Sequence, residues 1–265
     1  MAETLSSTIL EIKNLSKSYG KFQAVKNISL EVYRGEVFGF LGPNGAGKTT
    51  TIKCCSGLLR PTTGSIAVNG HNIVSEAPQA KTLIGYVPDN PFLYDKLTGR
   101  EFAVFLGRMY RVEDRVLNQR LDSFARLLEI HDSLDQLIQG YSRGMRQKIA
   151  IIASLLHQPH LLMLDEPTAN LDPKSARAVK DIMVSTKKQG GTVFLSTHVM
   201  EIAEVLCDRV AIINKGEIAA IGNVEELRRI KQGKTLEDIF LEITDRKENE
   251  NQDTLQEITG QGDFR

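Results

Sequence analysis

The stretch FGFLGPNGAGKTTTIK, residues 38–53, sets three glycines, a proline and an asparagine between an apolar run and a lysine followed by three threonines. An apolar run that stops at residues of high backbone freedom reads as a buried strand entering a tight loop, and the segment after it reads as a helix over 49–59. Gly42, Pro43, Asn44, Gly45, Ala46 and Gly47 lead into Lys48, Thr49 and Thr50, which is the spacing G-x-x-x-x-G-K-[ST] between a strand and a helix. Glycines let successive backbone N–H groups converge on phosphate oxygens, and the helix aims the positive end of its dipole at the same point. Lys48 adds a mobile positive charge for the β- and γ-phosphates, and Thr49 offers a hydroxyl to Mg²⁺. The plain alternative is a glycine-rich turn with a solvated lysine; the strand before and the helix after favour the phosphate cradle.

Such a cradle calls for a metal carboxylate nearby. LLMLDEP supplies one, because its four apolar residues end in Asp165, at the carboxyl edge of a buried strand where ligands gather in parallel sheets. Asp165 is expected to hold Mg²⁺, and the adjacent Glu166 to orient or deprotonate an attacking water. A strand-ending acidic pair before Pro167 is the duller reading of the same residues.

The rest of the chain divides by pattern. Residues 8–40 alternate apolar and polar, as a half-exposed antiparallel edge does, before turning continuously apolar at the loop; GSIAVNGHNI reads as a further strand and hairpin. Between about 91 and 160 the period becomes helical: Phe102, Phe105 or Leu106, and Met109 share one face, and apolar residues recur from Val116 to Leu128. HLLMLDEP and GTVFLSTH then flank the helical KSARAVKDIMVSTKKQ in a βαβ rhythm, and LCDRVAIINKGEIAAIGN returns to strands. Near the end Leu236, Ile239, Phe240 and Ile243 follow helical spacing, with Thr235 and Asp238 placed like a capping box; 245–265 reads as a polar, flexible tail.

Composition narrows the function. Lysine plus arginine equals aspartate plus glutamate at 33 each, so no global field favours nucleic acid or an anionic membrane. Cys54, Cys55 and Cys207 are odd in number and lack metal-ligand spacing, which fits a reducing compartment without structural disulfides. The start of the chain lacks a signal-peptide layout, and the longest apolar run, around 149–156, is far short of the roughly 18 residues that span a bilayer.

These motifs, in this order, resemble the nucleotide-binding subunit of ABC transporters over roughly residues 8–225. GYSRGMRQK at 140–148 resembles the family signature, ANLD at 169–172 the D-loop, and STH at 196–198 the switch histidine, while Tyr19 stands where the family stacks a ring on adenine. The resemblance implies an α/β fold: a P-loop NTPase (RecA-like) core with an antiparallel β subdomain and an inserted α-helical subdomain, forming one ATPase domain over 1–244 with the insert at about 91–160. It implies ATP and Mg²⁺ as ligands, and an ATP-hydrolysing motor that dimerises around nucleotide. Ser142 and Gly144 at a helix start would grip the γ-phosphate of the opposite subunit, His198 would hydrogen-bond that phosphate, and Asp172 would link the two sites. Taken singly these residues have structural readings: a helix cap, a satisfied imidazole, a turn carboxylate and, for Tyr19, a packed ring.

The signature departs from L-S-G-G-Q at Tyr141, Arg143 and Met145 but keeps Ser142 and Gly144. At the Q-loop Asp89 replaces glutamine, and a carboxylate can meet Mg²⁺ or water but cannot donate as an amide does. An acidic Q-loop, YSxGMxQ and the LEDIFLEIT segment resemble the branch of exporter ATPases that handle drugs, polysaccharides or antimicrobial peptides. The expected partners are an integral membrane permease and a second ATPase subunit, identical or closely related, at the cytoplasmic face of the membrane, with the permease pressing a helix into a groove near Asp89 and the helical insert; nucleic acid is not expected. The alternative is a soluble ABC ATPase acting on ribosomes or nucleic acid; the paired cassettes or coiled coils that such proteins carry are not seen here.

Overall fold

The computed structural model of the chain describes residues 8–226, 235–238 and 240–242. Its strands are β1 (Thr8–Tyr19), β2 (Phe22–Tyr33), β3 (Val37–Leu41), β4 (Thr63–Val68), β5 (His71–Asn72), β6 (Ile84–Val87), β7 (Leu161–Asp165), β8 (Thr192–Thr197), β9 (Arg209–Asn214) and β10 (Glu217–Asn223). Between them run α1 (Lys48–Cys55), α2 (Ala77–Thr82), α3 (Gly99–Met109), α4 (Asp114–Leu127), α5 (Arg143–Leu155), α6 (Pro173–Lys188) and α7 (Met200–Leu206).

The strands form two sheets, an antiparallel one ordered β2-β1-β4-β5 and a six-stranded one ordered β10-β9-β3-β8-β7-β6, in which all neighbours pair in parallel except β9 and β10. The alternating N-terminal strands therefore build a sheet of their own and are not the edge of the parallel one. Side-chain direction, with its period of two, explains how the larger sheet is buried on both faces. Phe38, Phe40, Met163 and Phe194 point toward the antiparallel sheet, where the Phe194 ring lies with its centroid 5.7 Å from that of Phe38 and 5.5 Å from that of Phe40. Val37, Leu41, Leu162, Leu164, Val193 and Leu195 point the other way, into the core shared with α4, α5 and α6. Each such side chain contributes roughly 1.5–3 kcal/mol by leaving water.

Two helical expectations are corrected. The first helix stops at Cys55, not 59, because Gly57 takes a left-handed φ of 70°. From there the Gly57 and Leu58 N–H groups donate back to the carbonyls of Cys54 and Lys53, at 3.1 and 2.9 Å, closing a Schellman cap. In α3 the buried face is Phe102, Ala103 and Gly107 with Leu106 packed half-buried beside them, so of the two alternatives Leu106 holds, whereas Phe105 and Met109 are exposed. Gly107 lets Leu117 of α4 approach so closely that a Cβ there would lie 2.2 Å from it, which turns the packed face toward α4. The capping box at Thr235 forms: the Thr235 N–H donates to the Asp238 carboxylate at 3.0 Å, and the Asp238 N–H to the Thr235 hydroxyl at 3.1 Å. Ile239, Ile243 and the expected tail at 245–265 lie outside the described residues.

His157, in the connection from α5 to β7, makes stability depend on pH. Its Nε2 lies 3.1 Å from the Ile84 carbonyl oxygen and so carries the proton, while the ring stacks on Tyr110 with centroids 3.7 Å apart. Burial, aided by the Arg120 charge and opposed by the Ile84 carbonyl, pulls its pKa from 6.5 to about 4. Between those values the unfolded chain binds the proton and the folded one does not, so stability is full above about pH 6.5 and falls as pH drops toward 4. The loss is on the order of 3 kcal/mol. Denaturant titrations at pH 7 and pH 4.5 should show a clearly smaller drop for His157→Gln than for the unmodified chain; equal drops would remove His157 as the cause.

Candidate functional site

Register places three strand ends side by side. Leu41 of β3 is paired with Thr197 of β8, and Ser196 of β8 with Asp165 of β7, so the glycine loop, residues 196–198 and the Asp165–Glu166 pair all open at the carboxyl edge of the parallel sheet. This crevice is where a parallel sheet binds ligands.

The loop needs its glycines. Gly45 and Gly47 have φ of 79° and 108°, and a Cβ on Gly42 or Gly47 would meet the carbonyl oxygens of Ile213 and Ala24 at 2.4 and 2.6 Å. Gly47 is the N-cap of α1, with no side chain spanning the helix end, so the first N–H groups of α1 remain available to an anion. Lys48 folds back over the loop: its Nζ donates to the carbonyls of Gly42 at 2.7 Å and Pro43 at 3.2 Å and lies 3.8 Å from Glu166 Oε1. Burial pulls its pKa below the usual lysine value, and the Glu166 and Asp165 carboxylates partly restore it.

Asp165 is fully buried and neither carboxylate oxygen has a hydrogen-bond partner. Burial pushes its pKa up; Ser196 and Thr49 lie near enough to pull it back without making bonds of ordinary geometry, and Glu166 and Asp89 push it further up. A buried, unpaired carboxylate is costly unless a cation meets it. With Thr49 beside it, Asp165 suits Mg²⁺, which takes oxygen ligands and is held by one or two protein groups together with phosphates. No group of three or more His, Cys, Asp or Glu side chains that could hold a metal ion on its own occurs among the described residues.

Glu166 lies at the centre of the group. Its backbone has a left-handed φ of 48°, and its N–H donates to the Ser196 carbonyl at 2.9 Å. Oε2 accepts from the Thr197 hydroxyl at 3.2 Å, and Oε1 meets His198 Nδ1 at 2.9 Å. The sequence pointed to Lys48, Asp165, Glu166 and His198, and the fold brings these four together. It did not point to Ser196 and Thr197, whose only signal was two hydroxyls ending an otherwise apolar strand.

The remaining residues lie around this group or apart from it. Asp89 is exposed, beyond the end of β6, and acts on Asp165 through space. Tyr19, at the end of β1, keeps a ring 47% exposed, with Lys17 Nζ 5.4 Å from its centroid. Ser142 is the N-cap of α5: its hydroxyl accepts from the Met145 N–H at 3.2 Å, and among the described residues no hydrogen bond joins it to the glycine loop. Gly144 sits against Asn170, whose carbonyl oxygen a Cβ would meet at 3.0 Å. Asp172 caps α6 by accepting from the Ser175 N–H and hydroxyl at 2.9 and 2.6 Å, and Lys148 of α5 stands 3.3 Å away; these contacts hold its carboxyl well below the usual range. A cavity of about 670 Å³, lined by Arg120, Phe124, Ile182 and Gln189 among others, holds none of these residues.

The profile of the ABC transporter family matches residues 25–169. The chain is 40% identical over 224 residues to the uncharacterized ABC transporter ATP-binding protein YxlF of Bacillus subtilis (strain 168), covering 84% of this chain and 74% of that one. It is 40% identical over 219 residues to the linearmycin resistance ATP-binding protein LnrL of the same organism, covering 83% and 70%. A solved structure of the ATP binding subunit of an ABC transporter superposes with a TM-score of 0.85 at 32% identity, over 89% of this chain and 99% of that one.

Proposed function

Since the chain belongs to the ABC transporter family, as an ATP-binding and ATP-hydrolysing subunit, we propose that it is the motor of a membrane exporter: it pairs with a second cassette around ATP and drives a separate integral membrane permease. The observation that carries this reading is that the two ends to which phosphate binding is assigned are not joined to each other. One is the glycine loop with Lys48 and Glu166; the other is the exposed Ser142 end of α5, which has no hydrogen bond to that loop among the described residues. A γ-phosphate held by Lys48 meets a Ser142 and a Gly144 only when a second subunit brings them, so nucleotide joins two chains head to tail. Removing the γ-phosphate by hydrolysis releases that joint.

Within one site the roles follow from geometry. On binding, the loop N–H groups and Lys48 take the phosphates, the ammonium exchanging the Gly42 and Pro43 carbonyls for charged oxygens. Tyr19 offers its exposed ring to the base. Thr49, Asp165 and, acting through space, Asp89 would hold Mg²⁺, which would offset phosphate charge. Glu166 orients a water and takes its proton as the water oxygen bonds to the γ-phosphorus and the bond to ADP breaks; His198 steadies the γ-phosphate from the Oε1 side of Glu166. Asp172, already tied to Lys148 of α5, sits where the two chains would communicate.

No helix among the described residues is long and apolar enough to cross a membrane, so the reading needs a partner that is. A cleft of about 190 Å³ lined by Pro91, Leu93, Phe102 and Leu106, with Phe92 91% exposed at its rim, offers that partner an apolar seat close to Asp89. The linearmycin resistance relative supports export as the direction, and a peripheral place on the cytoplasmic face follows from the same assembly. Affinity capture of the tagged chain from detergent-solubilised membranes is expected to bring down a polytopic protein. A chain that stays partnerless in the cytosol throughout growth would overturn the assignment.

A further inference from the structure

The end of β8 holds Glu166 at three points: the Ser196 carbonyl on its backbone N–H, the Thr197 hydroxyl on Oε2 and His198 Nδ1 on Oε1. Thr197 is itself fixed. Its oxygen accepts from the Val199 N–H at 3.1 Å, at the threshold of α7, and the residue is 1% exposed. A hydroxyl has one proton, and with the Val199 N–H on a lone pair that proton is directed to the Glu166 carboxylate at 3.2 Å. Glu166 has three side-chain torsions and a left-handed backbone, so without this bond its carboxylate has other orientations open to it.

We propose that Thr197 is a positioning residue for hydrolysis: by anchoring Oε2 it presents the Oε1 edge of Glu166, shared with Lys48 and His198, to the phosphate cradle, and it ties that orientation to the start of α7. Its burial keeps it from touching nucleotide, so its effect falls on turnover and not on binding. The inference rests on Glu166 acting on the attacking water.

The test compares Thr197→Val, which removes the hydroxyl at nearly constant size, with Thr197→Ser, which keeps it. A misplacement of about 1 Å at a reacting group costs on the order of 10²-fold, so kcat of the Val variant should fall by roughly 10- to 100-fold while KM and ATP affinity stay near the unmodified values, and Ser should recover most of the loss. If Val does not fold, Thr197→Ala carries the same expectation. A Val or Ala variant that binds ATP and turns over at the normal rate would overturn the proposal, as would a loss that Ser fails to recover. A fall confined to thermal stability, with kcat intact, makes Thr197 an anchor of the turn into α7 and nothing more. Glu166→Gln separates the two layers: normal hydrolysis in that variant removes the role of Glu166 itself, whereas an inactive Gln variant beside a fully active Thr197→Val variant removes Thr197 alone.

Discussion

Glu166→Gln is expected to lower kcat by about 10²–10⁴-fold, the range that a positioned general base contributes, while ATP still binds and now accumulates a dimer. The substitution keeps size and shape, and an amide oxygen can still accept from the Thr197 hydroxyl that lies 3.2 Å from Oε2. What it removes is the group that can take a proton from water. On the proposed head-to-tail pairing the γ-phosphate then persists, and with it the contacts that Ser142 and Gly144 of a second chain would make to it. Phosphate release and size-exclusion chromatography with and without ATP measure the two halves of the expectation. A variant that hydrolyses ATP normally would remove Glu166 from its role; an inactive one that stays monomeric at saturating ATP would remove the head-to-tail joint.

Lys48→Ala is expected to act on binding. Among the described residues its ammonium is the cation that lies beside Glu166 and Asp165 while also reaching into the loop, and it is buried, with 7% of the side chain exposed. Each charge-assisted hydrogen bond to phosphate is worth about 1.5–3 kcal/mol, so affinity should weaken by roughly ten- to two-hundredfold. Truncation also frees the Gly42 and Pro43 carbonyls and leaves Glu166 without the cation 3.8 Å away. Titration with a fluorescent ATP analogue measures the change. Unaltered affinity in a folded variant would mean that phosphates do not occupy this loop.

The parts of the site carried by short continuous segments were legible in the sequence. The glycine loop, LLMLD and each strand and helix of the βαβ pattern encode their structure in short continuous stretches, because strand burial, left-handed turns and helix starts depend on near neighbours. Contacts decided by register were not. That Thr197 reaches Glu166 follows from β7 lying beside β8 with Asp165 opposite Ser196, a pairing between segments some 30 residues apart. β6 escaped notice because four residues, IGYV, have too little length to show a period. On α3 the inner face does carry Phe102 and Leu106, but Phe105, offered beside Leu106, and Met109 satisfy helical spacing equally well, and it is the close approach of Leu117 to Gly107 that selects between them. The N-terminal alternation announced strands and their exposed faces; that they form a sheet of their own, as the family resemblance implied, rests on the pairing of β1 with the distant β4.

The left-handed backbone of Glu166 sets durability against turnover at one residue. Glycine would relieve roughly 1–2 kcal/mol there, and asparagine part of it, yet either would remove the carboxylate to which the proposed mechanism assigns the attacking water, together with its contacts to Thr197 and His198. Unfolding screens that reward heat resistance alone should therefore drift toward inert proteins at position 166, and a laboratory lineage selected for robustness would discard the chemistry first.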